Sequence, residues 1–342
     1  MKQTAVVIFP GRGTYAKPEL GYLSRFHKDK APFLVQIDAL RRAYDRIPVT
    51  ELDAAKSYTA AKHATSENAS ALIYGCALAD FAAIDRDKFD IVAMCGNSLG
   101  WYLSLAAAGA LNAENAFRLV DTMGALMEDH GVGGQIVYPL VDEEWRPSEE
   151  RLHAVEKALA AGARAGAAHW SIHLGGTAIL AGDDAAIEAM EKVLPEAEGR
   201  YPFRLARHAA FHTPLMKPVS EMARAELTME NFLRPEKPII DGRGVIWSPW
   251  STATDALWDY TLGEQIIAPY SFSKSVEVAI KEFAPDKIIL VGPGGTLGVP
   301  IAQELIRHRW LGMGSRADFT ARQKEDPFLL AMGRDDQRNL VI

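Results

Sequence analysis

Cysteine is scarce in this chain of 342 residues, and long apolar runs are missing. The two cysteines, Cys76 and Cys95, exclude a disulfide scaffold and a cysteine-rich zinc or iron–sulfur module. No segment reaches the ~18 consecutive apolar residues that a membrane-spanning helix needs. The apolar part of the N-terminus, AVVIF, is also too short for a secretory signal. We therefore expect a cytoplasmic protein without a membrane span.

A surplus of basic residues is missing as well. The chain has 37 Lys and Arg against 44 Asp and Glu, a formal net charge of −7. A mildly acidic protein is a poor general binder of nucleic acid, so we expect no nucleic-acid partner. Hydrophobic residues at 48% and charged residues at 24% lie in the globular range, which excludes disorder as the main state.

Strand-like and helix-like segments alternate along the chain. Short buried strands are predicted at 5–9, 90–95 and 287–291, and helices at 68–83, 99–108, 114–127 and 297–307. This alternation favours an α/β fold with a mostly parallel sheet and helices on its faces. At roughly 150 residues per domain, the length fits two domains or one large α/β core with an inserted subdomain.

The middle of the chain differs from the rest. Between 135 and 203 the predicted order is strand, helix, two short strands and a second helix, which resembles a small ferredoxin-like α+β unit. We therefore predict an α/β core at 1–134 and 204–342, interrupted by a ferredoxin-like insert at 135–203. The last part of the core, 313–342, is polar and is predicted to form an irregular C-terminal tail.

A serine at a predicted sharp turn carries the strongest chemical signal. Residues 96–100 read Gly-Asn-Ser-Leu-Gly, a G-x-S-x-G pattern between a predicted strand and a predicted helix. In this arrangement the serine occupies a strained turn, and the glycines let neighbouring chain pass closely. Ser98 is therefore a candidate nucleophile, and the backbone N–H of Leu99 can stabilise an oxyanion. The pattern also fits a serine that only caps a helix.

A serine nucleophile needs a base. The chain has nine histidines, of which His208 and His212 lie in RHAAFHTPLM, just before a predicted helix. His212 is the better candidate because it stands at the junction of loop and helix. Position alone leaves the other histidines as rivals. No spacing of histidines and carboxylates indicates a metal site.

Four segments in order resemble the malonyl-CoA:acyl carrier protein transacylase family, which includes the acyltransferase domains of fatty acid and polyketide synthases. They are FPGRGTY at 9–15, GNSLGWYLSLAAAGAL at 96–111, AFHTPLM at 210–216 and VGPGGTLG at 291–298. Each segment is only modestly specific, but four in the family's order are a strong signal. The resemblance implies an α/β-hydrolase-like core with an inserted ferredoxin-like subdomain.

The resemblance also implies roles for individual residues. Ser98 would accept the acyl group, His212 would be its base, and the backbone N–H groups of Arg12 and Leu99 would form the oxyanion hole. In the family a main-chain carbonyl orients the histidine, and the matching segment APYSFSKSV points to that of Ser271. No cofactor is implied. The partners would be an acyl-CoA and an acyl carrier protein, which carry the acyl group as a thioester.

The chain departs from the family pattern around the expected acyl pocket. Members that use malonyl groups hold its carboxylate with a bidentate arginine, and this chain has Met123 there. A buried carboxylate without a cation would lose several kcal/mol, so we expect an uncharged acyl group. Asn97, Trp101 and Arg12 replace the family's histidine, glutamate and glutamine. The predicted pocket residues are Met123, Trp101, Phe211 and Asn97.

Three functional alternatives follow from the same residues. Arg12 could face the pocket and supply the missing cation for a malonyl group, or it could be a solvated surface arginine. A thioesterase would use the same serine and histidine with water as the acceptor. The changes at 97, 101 and 123 also fit a catalytically degenerate scaffold subunit.

A dinucleotide site is a further local alternative. Residues 11–16 match G-x-G-x-x-A after a predicted strand, and Asp38 follows an apolar run as a ribose-binding acid would. Pro18 and Gly21 argue against it, because they break the helix that should follow the glycines.

Overall fold

The computed structural model describes residues 1–342, apart from the side chain of Ala31. The strands in chain order are β1 (Gln3–Phe9), β2 (Phe89–Gly96), β3 (Gly134–Pro139), β4 (Ala168–Leu174), β5 (Thr177–Gly182), β6 (Phe203–Arg204), β7 (Ile239–Ile240), β8 (Ile246–Trp247), β9 (Tyr270–Ser271), β10 (Lys287–Leu290) and β11 (Leu329–Ala331). The α-helices are α1 (Tyr22–Phe26), α2 (Ala31–Ala43), α3 (Val49–Asp53), α4 (Ala60–His63), α5 (Ser66–Ala83), α6 (Leu99–Ala107), α7 (Ala113–His130), α8 (Glu149–Ala165), α9 (Asp184–Val193), α10 (Lys217–Glu226), α11 (Thr254–Leu262), α12 (Glu264–Ile267), α13 (Phe272–Phe283), α14 (Gly298–Arg307), α15 (Arg316–Glu325) and α16 (Asp335–Val341). None of the helices in this described chain is both long enough and apolar enough to cross a membrane.

A six-stranded sheet forms the centre of the larger unit, in the order β11-β10-β1-β2-β7-β8. All neighbouring pairs are parallel except β7 and β8. The inner strands β1 and β10 are buried on both faces, which explains their continuous apolar runs AVVIF and IIL. The predicted α/β fold with a mostly parallel sheet is confirmed. The carboxyl ends of β1 and β2 lie side by side, which is where such sheets place their sites.

A second sheet has the order β6-β3-β5-β4-β9. Its first four strands come from one continuous segment with the element order β3-α8-β4-β5-α9-β6, which is the ferredoxin-like arrangement predicted from the sequence. The segment has an apolar core of its own around Ile136, Leu180 and Ile187. We call it the ferredoxin-like subdomain. Its strand β4 pairs in parallel with β9, so the two units are hydrogen-bonded to each other.

The prediction of an irregular tail at 313–342 is wrong. This segment forms α15, β11 and α16, and β11 is an edge strand of the main sheet, paired with β10. The short buried run FLLAM at 328–332 supplies the strand, but the charged residues around it hide this signal in the sequence. Buried Arg338 of α16 donates a 2.7 Å hydrogen bond to Asp80 of α5, which fixes the end of the chain to the core.

The dinucleotide alternative is wrong as well. Asp38 lies on α2, is almost fully buried and accepts a hydrogen bond from the backbone N–H of Thr50 at 3.2 Å. Its carboxylate therefore has a structural partner. The first α-helix after β1 begins only at Tyr22, so the glycines at 11 and 13 do not open a helix that could bind a pyrophosphate.

Candidate functional site

Ser98 stands between the end of β2 and the first residue of α6. Its backbone angles are φ 54° and ψ −108°, a strained conformation for a residue with a side chain. The flanking glycines are required by close approach: a Cβ on Gly96 would lie 2.4 Å from the carbonyl of Gly100. A Cβ on Gly100 would lie 2.3 Å from the carbonyl oxygen of Phe9. The predicted strand-to-helix turn is therefore present, with the serine at its tip.

His212 is the histidine that reaches Ser98. Its Nε2 lies 2.8 Å from Ser98 Oγ, and its Nδ1 lies 2.7 Å from the backbone carbonyl oxygen of Gln265. Because a carbonyl only accepts, Nδ1 carries the proton and Nε2 is free to take one from the serine. His212 itself has a positive φ of 57°, so its loop is held in a conformation that few residues adopt. The geometry is that of a nucleophile, a base and an orienting group.

The predicted orienting carbonyl, that of Ser271, is wrong. Ser271 lies in β9, where it pairs with His173 of β4, and its Oγ accepts a hydrogen bond from the backbone N–H of Lys274 at 3.1 Å, at the start of α13. The carbonyl that meets His212 belongs to Gln265 in the short helix α12. Every residue of the segment has a carbonyl group, so no residue type in the sequence marks the one that faces the histidine.

The buried position of His212 sets the expected pH dependence. Burial lowers the pKa of its imidazole to about 4, and the Gln265 carbonyl opposes this with a smaller effect. A base must be unprotonated, so reactivity is full above this pKa and falls as the pH falls through it. We expect modification of Ser98 by phenylmethanesulfonyl fluoride to be half-maximal near pH 4, with circular dichroism as the control for folding. A midpoint near 6.5, the ordinary value for histidine, would contradict this burial effect.

A mostly apolar cavity of about 60 Å³ opens beside Ser98. This is room for about four or five water-sized groups. Met123 and Phe211 line it as predicted, and so does Met127, another methionine of α7. Tyr102 and Val120 line it as well, although no sequence pattern singled them out. Met123 therefore lines the same cavity as Ser98.

Two of the predicted pocket residues do not line this cavity. Trp101 is fully buried on another face of α6, where its Nε1 donates to Thr261 Oγ1 at 3.1 Å and its ring packs edge-on against Tyr260. Successive helix residues point about 100° apart, and it is the next residue, Tyr102, that faces the cavity. Asn97 packs against the loop after β1, so close that a Cβ on Gly11 would lie 2.7 Å from its Nδ2.

Arg12 does line the cavity, so its interpretation as a solvated surface arginine is wrong. Its guanidinium donates to Ser66 Oγ and to the backbone carbonyl of Arg207, and lies 5.4 Å from the centre of the Phe211 ring. Burial lowers the pKa of Arg12 to about 10, and the negative charge of Glu128 opposes this. Arg12 forms no ion pair in the described chain. Glu128 lies nearer to Arg207, at 3.8 Å.

The backbone N–H of Leu99 is the first of α6, and the first N–H groups of a helix have no partner within it. Arg12 follows β1 and Leu99 follows β2, and both border the cavity that Ser98 lines. Their role as an oxyanion hole stays a prediction. No cluster of three or more metal-ligating side chains occurs among the residues described.

No protein-family model matches the chain. Among curated proteins, the malonyl CoA-acyl carrier protein transacylase of Salmonella typhimurium is 27% identical over 208 residues. The match covers 60% of this chain and 63% of that enzyme, so it spans less than two thirds of the relative's length.

Solved structures give a match over nearly the whole chain. The transacylase from Xanthomonas oryzae pv. oryzae superposes with a TM-score of 0.76 and 19% identity, covering 99% of this chain and 98% of that one. A malonyl-transacylase in complex with a type II polyketide synthase acyl carrier protein gives a TM-score of 0.71 and 20% identity, covering 89% and 93%. At these identities the likeness demonstrates a shared fold, consisting of an α/β core and a small ferredoxin-like subdomain.

Proposed function

Because this chain belongs to the malonyl-CoA:acyl carrier protein transacylase family, we propose that it is an acyltransferase acting through an acyl-serine intermediate. The donor is a thioester of CoA or of an acyl carrier protein, and the acceptor is the thiol of the other carrier. The 2.8 Å contact between Ser98 Oγ and His212 Nε2, at the wall of an apolar cavity, is the observation that carries the proposal. The relative in complex with an acyl carrier protein supports that class of partner.

The geometry supports two half-reactions. As Ser98 Oγ attacks the thioester carbonyl, His212 Nε2 takes its proton, and the backbone N–H groups of Leu99 and Arg12 receive the oxyanion. The C–S bond then breaks, and the leaving thiolate takes the proton from His212. In the second half the incoming thiol gives its proton to His212 and attacks the acyl-serine ester. The ester C–O bond breaks, and Ser98 Oγ takes the proton back from His212, which restores both residues. The Gln265 carbonyl stabilises the imidazolium that forms in each half.

The hydrolase alternative differs only in the acceptor. To separate the two, the isolated acyl-enzyme is divided between buffer alone and buffer with a thiol acceptor such as CoA. A transferase releases most of its acyl group as the new thioester, and its acyl-serine is stable in buffer. Release of free acid at the same rate in both samples would favour a thioesterase.

The contact between Ser98 and His212 argues against the alternative of a catalytically degenerate scaffold subunit. The strained φ of Ser98 and that of His212 each cost about 1–3 kcal/mol, and such strain persists where surrounding structure enforces it. Two strained residues that meet at hydrogen-bonding distance are difficult to explain in a subunit without chemistry.

For the acyl group, we propose an uncharged chain. The resemblance puts Met123 at the position of the family's malonyl-binding arginine. Met123 lines the cavity beside Val120 and Met127, which together form an apolar wall. Each buried methylene contributes about 0.8 kcal/mol, so affinity rises with chain length until the cavity is filled. Arg12 has its donors directed at Ser66 and a backbone carbonyl, which leaves this wall free for the chain.

Arg12 also supports a second candidate, an acyl group with a terminal carboxylate. Among the described residues that line the cavity, Arg12 alone carries a formal charge, and it has no carboxylate partner. A partly desolvated cation of this kind gains when a substrate supplies the anion. Malonyl transfer would then depend on Arg12 in place of the absent arginine at position 123.

The two candidates predict opposite loading preferences. With an uncharged substrate, malonyl-CoA loads Ser98 much more slowly than acetyl- or butyryl-CoA, whose chains the cavity can hold. Met123→Arg then raises the malonyl preference by about 10- to 100-fold, because a charge-assisted hydrogen bond is worth about 1.5–3 kcal/mol. Met123→Leu is the matched control and keeps the original preference. A wild-type preference for malonyl-CoA that disappears in Arg12→Gln would establish the second candidate instead.

A further inference from the structure

Strand β4 of the ferredoxin-like subdomain carries a β-bulge at Ser171. Trp170 pairs with Leu180 and Ile172 pairs with Ile179, so Ser171 is the extra residue without a partner on β5. A bulge re-aims the side chain of its extra residue, and bulges are common next to active sites. The Ser171 hydroxyl is fully buried and donates to the backbone carbonyl oxygen of Phe211 at 2.7 Å. That carbonyl belongs to the peptide bond that joins Phe211 to His212.

A second subdomain residue supports this contact. Gln135 of β3 is almost fully buried, and its Nε2 donates to Ser171 Oγ at 2.7 Å. Its Oε1 accepts a hydrogen bond from His208 Nδ1, also at 2.7 Å. Donors and acceptors are consistent along the whole series: His208 Nδ1–H to Gln135, Gln135 to Ser171, and Ser171 to the Phe211 carbonyl.

Both ends of this hydrogen-bonded series lie on the loop 208–212. The Gln135–Ser171 pair therefore holds the loop at two points, four residues before His212 and one residue before it. His212 needs such support because its φ of 57° is strained. The strand also supports the nucleophile, since Ile172 pairs with Tyr270, whose hydroxyl donates to the Gly96 carbonyl at 2.6 Å.

We propose that Ser171 and Gln135 are positioning residues for His212, so that the ferredoxin-like subdomain sets the geometry of the catalytic pair. The inference rests on the proposed function for the role of His212 as a base. The pair acts through the Phe211 peptide, and neither residue touches Ser98 or His212 through its side chain. A displaced imidazole would leave most of the cavity wall unchanged, because Tyr102, Val120 and Met123 lie on α6 and α7, so acylation should suffer more than the binding of the acyl donor.

The test measures Ser98 reactivity in Ser171→Ala with two reagents. With an acyl-CoA that loads the wild type, the acylation rate constant at saturation falls by about 10- to 100-fold, and the KM stays within about twofold. With phenylmethanesulfonyl fluoride, which needs no acyl-binding site, the rate falls by a similar factor. Ser171→Thr keeps the hydroxyl and restores most of the rate. Thr252→Val is the control, because it removes a hydroxyl-to-carbonyl bond of the same length, 2.7 Å to Ser248, from a buried residue that does not line the cavity.

Gln135→Glu provides an independent variant. A carboxylate at 135 accepts from Ser171 Oγ, which turns the hydroxyl away from Phe211 without removing it, so we expect a similar loss of rate. Rates within twofold of wild type in Ser171→Ala for both reagents, or an equal loss in Thr252→Val, would overturn the inference. If sulfonylation depends on His212 but no acyl-CoA forms an adduct, the proposed function is contradicted. The sulfonylation rates of the Ser171 and Gln135 variants would still test whether these residues position His212.

Discussion

Replacing His212 with alanine should slow the acylation of Ser98 by about 10³- to 10⁴-fold. A serine hydroxyl is a weak nucleophile at its ordinary pKa, and His212 Nε2 is the base in contact with it. General-base catalysis contributes about 10²- to 10⁴-fold, and the backbone groups at Leu99 and Arg12 remain to give residual reactivity. The rate is measured by quenched-flow intact mass spectrometry with an acyl-CoA that loads the wild type.

His153→Ala provides the comparison for this variant. His153 is exposed on α8 of the ferredoxin-like subdomain, away from the cavity, so its loss should leave the rate unchanged. Thermal unfolding of both variants confirms that they are folded at the assay temperature. If His212→Ala acylates within tenfold of the wild type, the base is another group and the assignment is wrong.

Gly100→Ala should cause a large loss of stability. An added Cβ would lie 2.3 Å from the carbonyl oxygen of Phe9, at the end of the central strand β1. Neither the strand nor the start of α6 can move without disturbing the core, so we expect a loss of at least about 3 kcal/mol in the free energy of unfolding. Reactivity of Ser98 should be lost in the fraction that still folds. Urea unfolding followed by circular dichroism measures the change.

Gly295→Ala is the matched glycine control. Its added Cβ would meet no atom within 4 Å, so the free energy of unfolding should change by no more than about 0.5 kcal/mol. A Gly100→Ala protein as stable as Gly295→Ala would contradict the close packing of the turn.

Much of the fold could be predicted from the sequence. The buried strands β1, β2 and β10 are short apolar runs bounded by turn residues, and such a pattern has few alternatives. The helices α5, α7 and α9 begin at side-chain caps that the sequence contains, namely Thr65, Asn112 and Asp183. Local sequence therefore determined these elements. The edge strand β11 could not be found this way, because its identity depends on pairing with β10.

The residues of the site also differ in whether the sequence alone could identify them. Ser98 could be identified because the turn around it requires glycine at two fixed positions, and His212 because its segment matches the family in order. Gln265 acts through its backbone, and Ser171 through a bulge that only strand pairing creates, so neither has a local signal. Trp101 was misplaced because the direction of a helix face depends on how α6 packs. Arg12 needed the structure to show that its side chain turns toward the cavity.

The formation of an acyl-enzyme on Ser98 tests the central claim most directly. Wild-type protein and Ser98→Ala are each incubated with acetyl-, butyryl-, octanoyl- and malonyl-CoA, and the adduct is located by peptide mass spectrometry. We expect one acyl group per chain on the peptide that contains Ser98, transfer of that group to an added acyl carrier protein, and no adduct in Ser98→Ala. An adduct that persists in Ser98→Ala, or a folded wild-type protein that no acyl-CoA modifies, would contradict it.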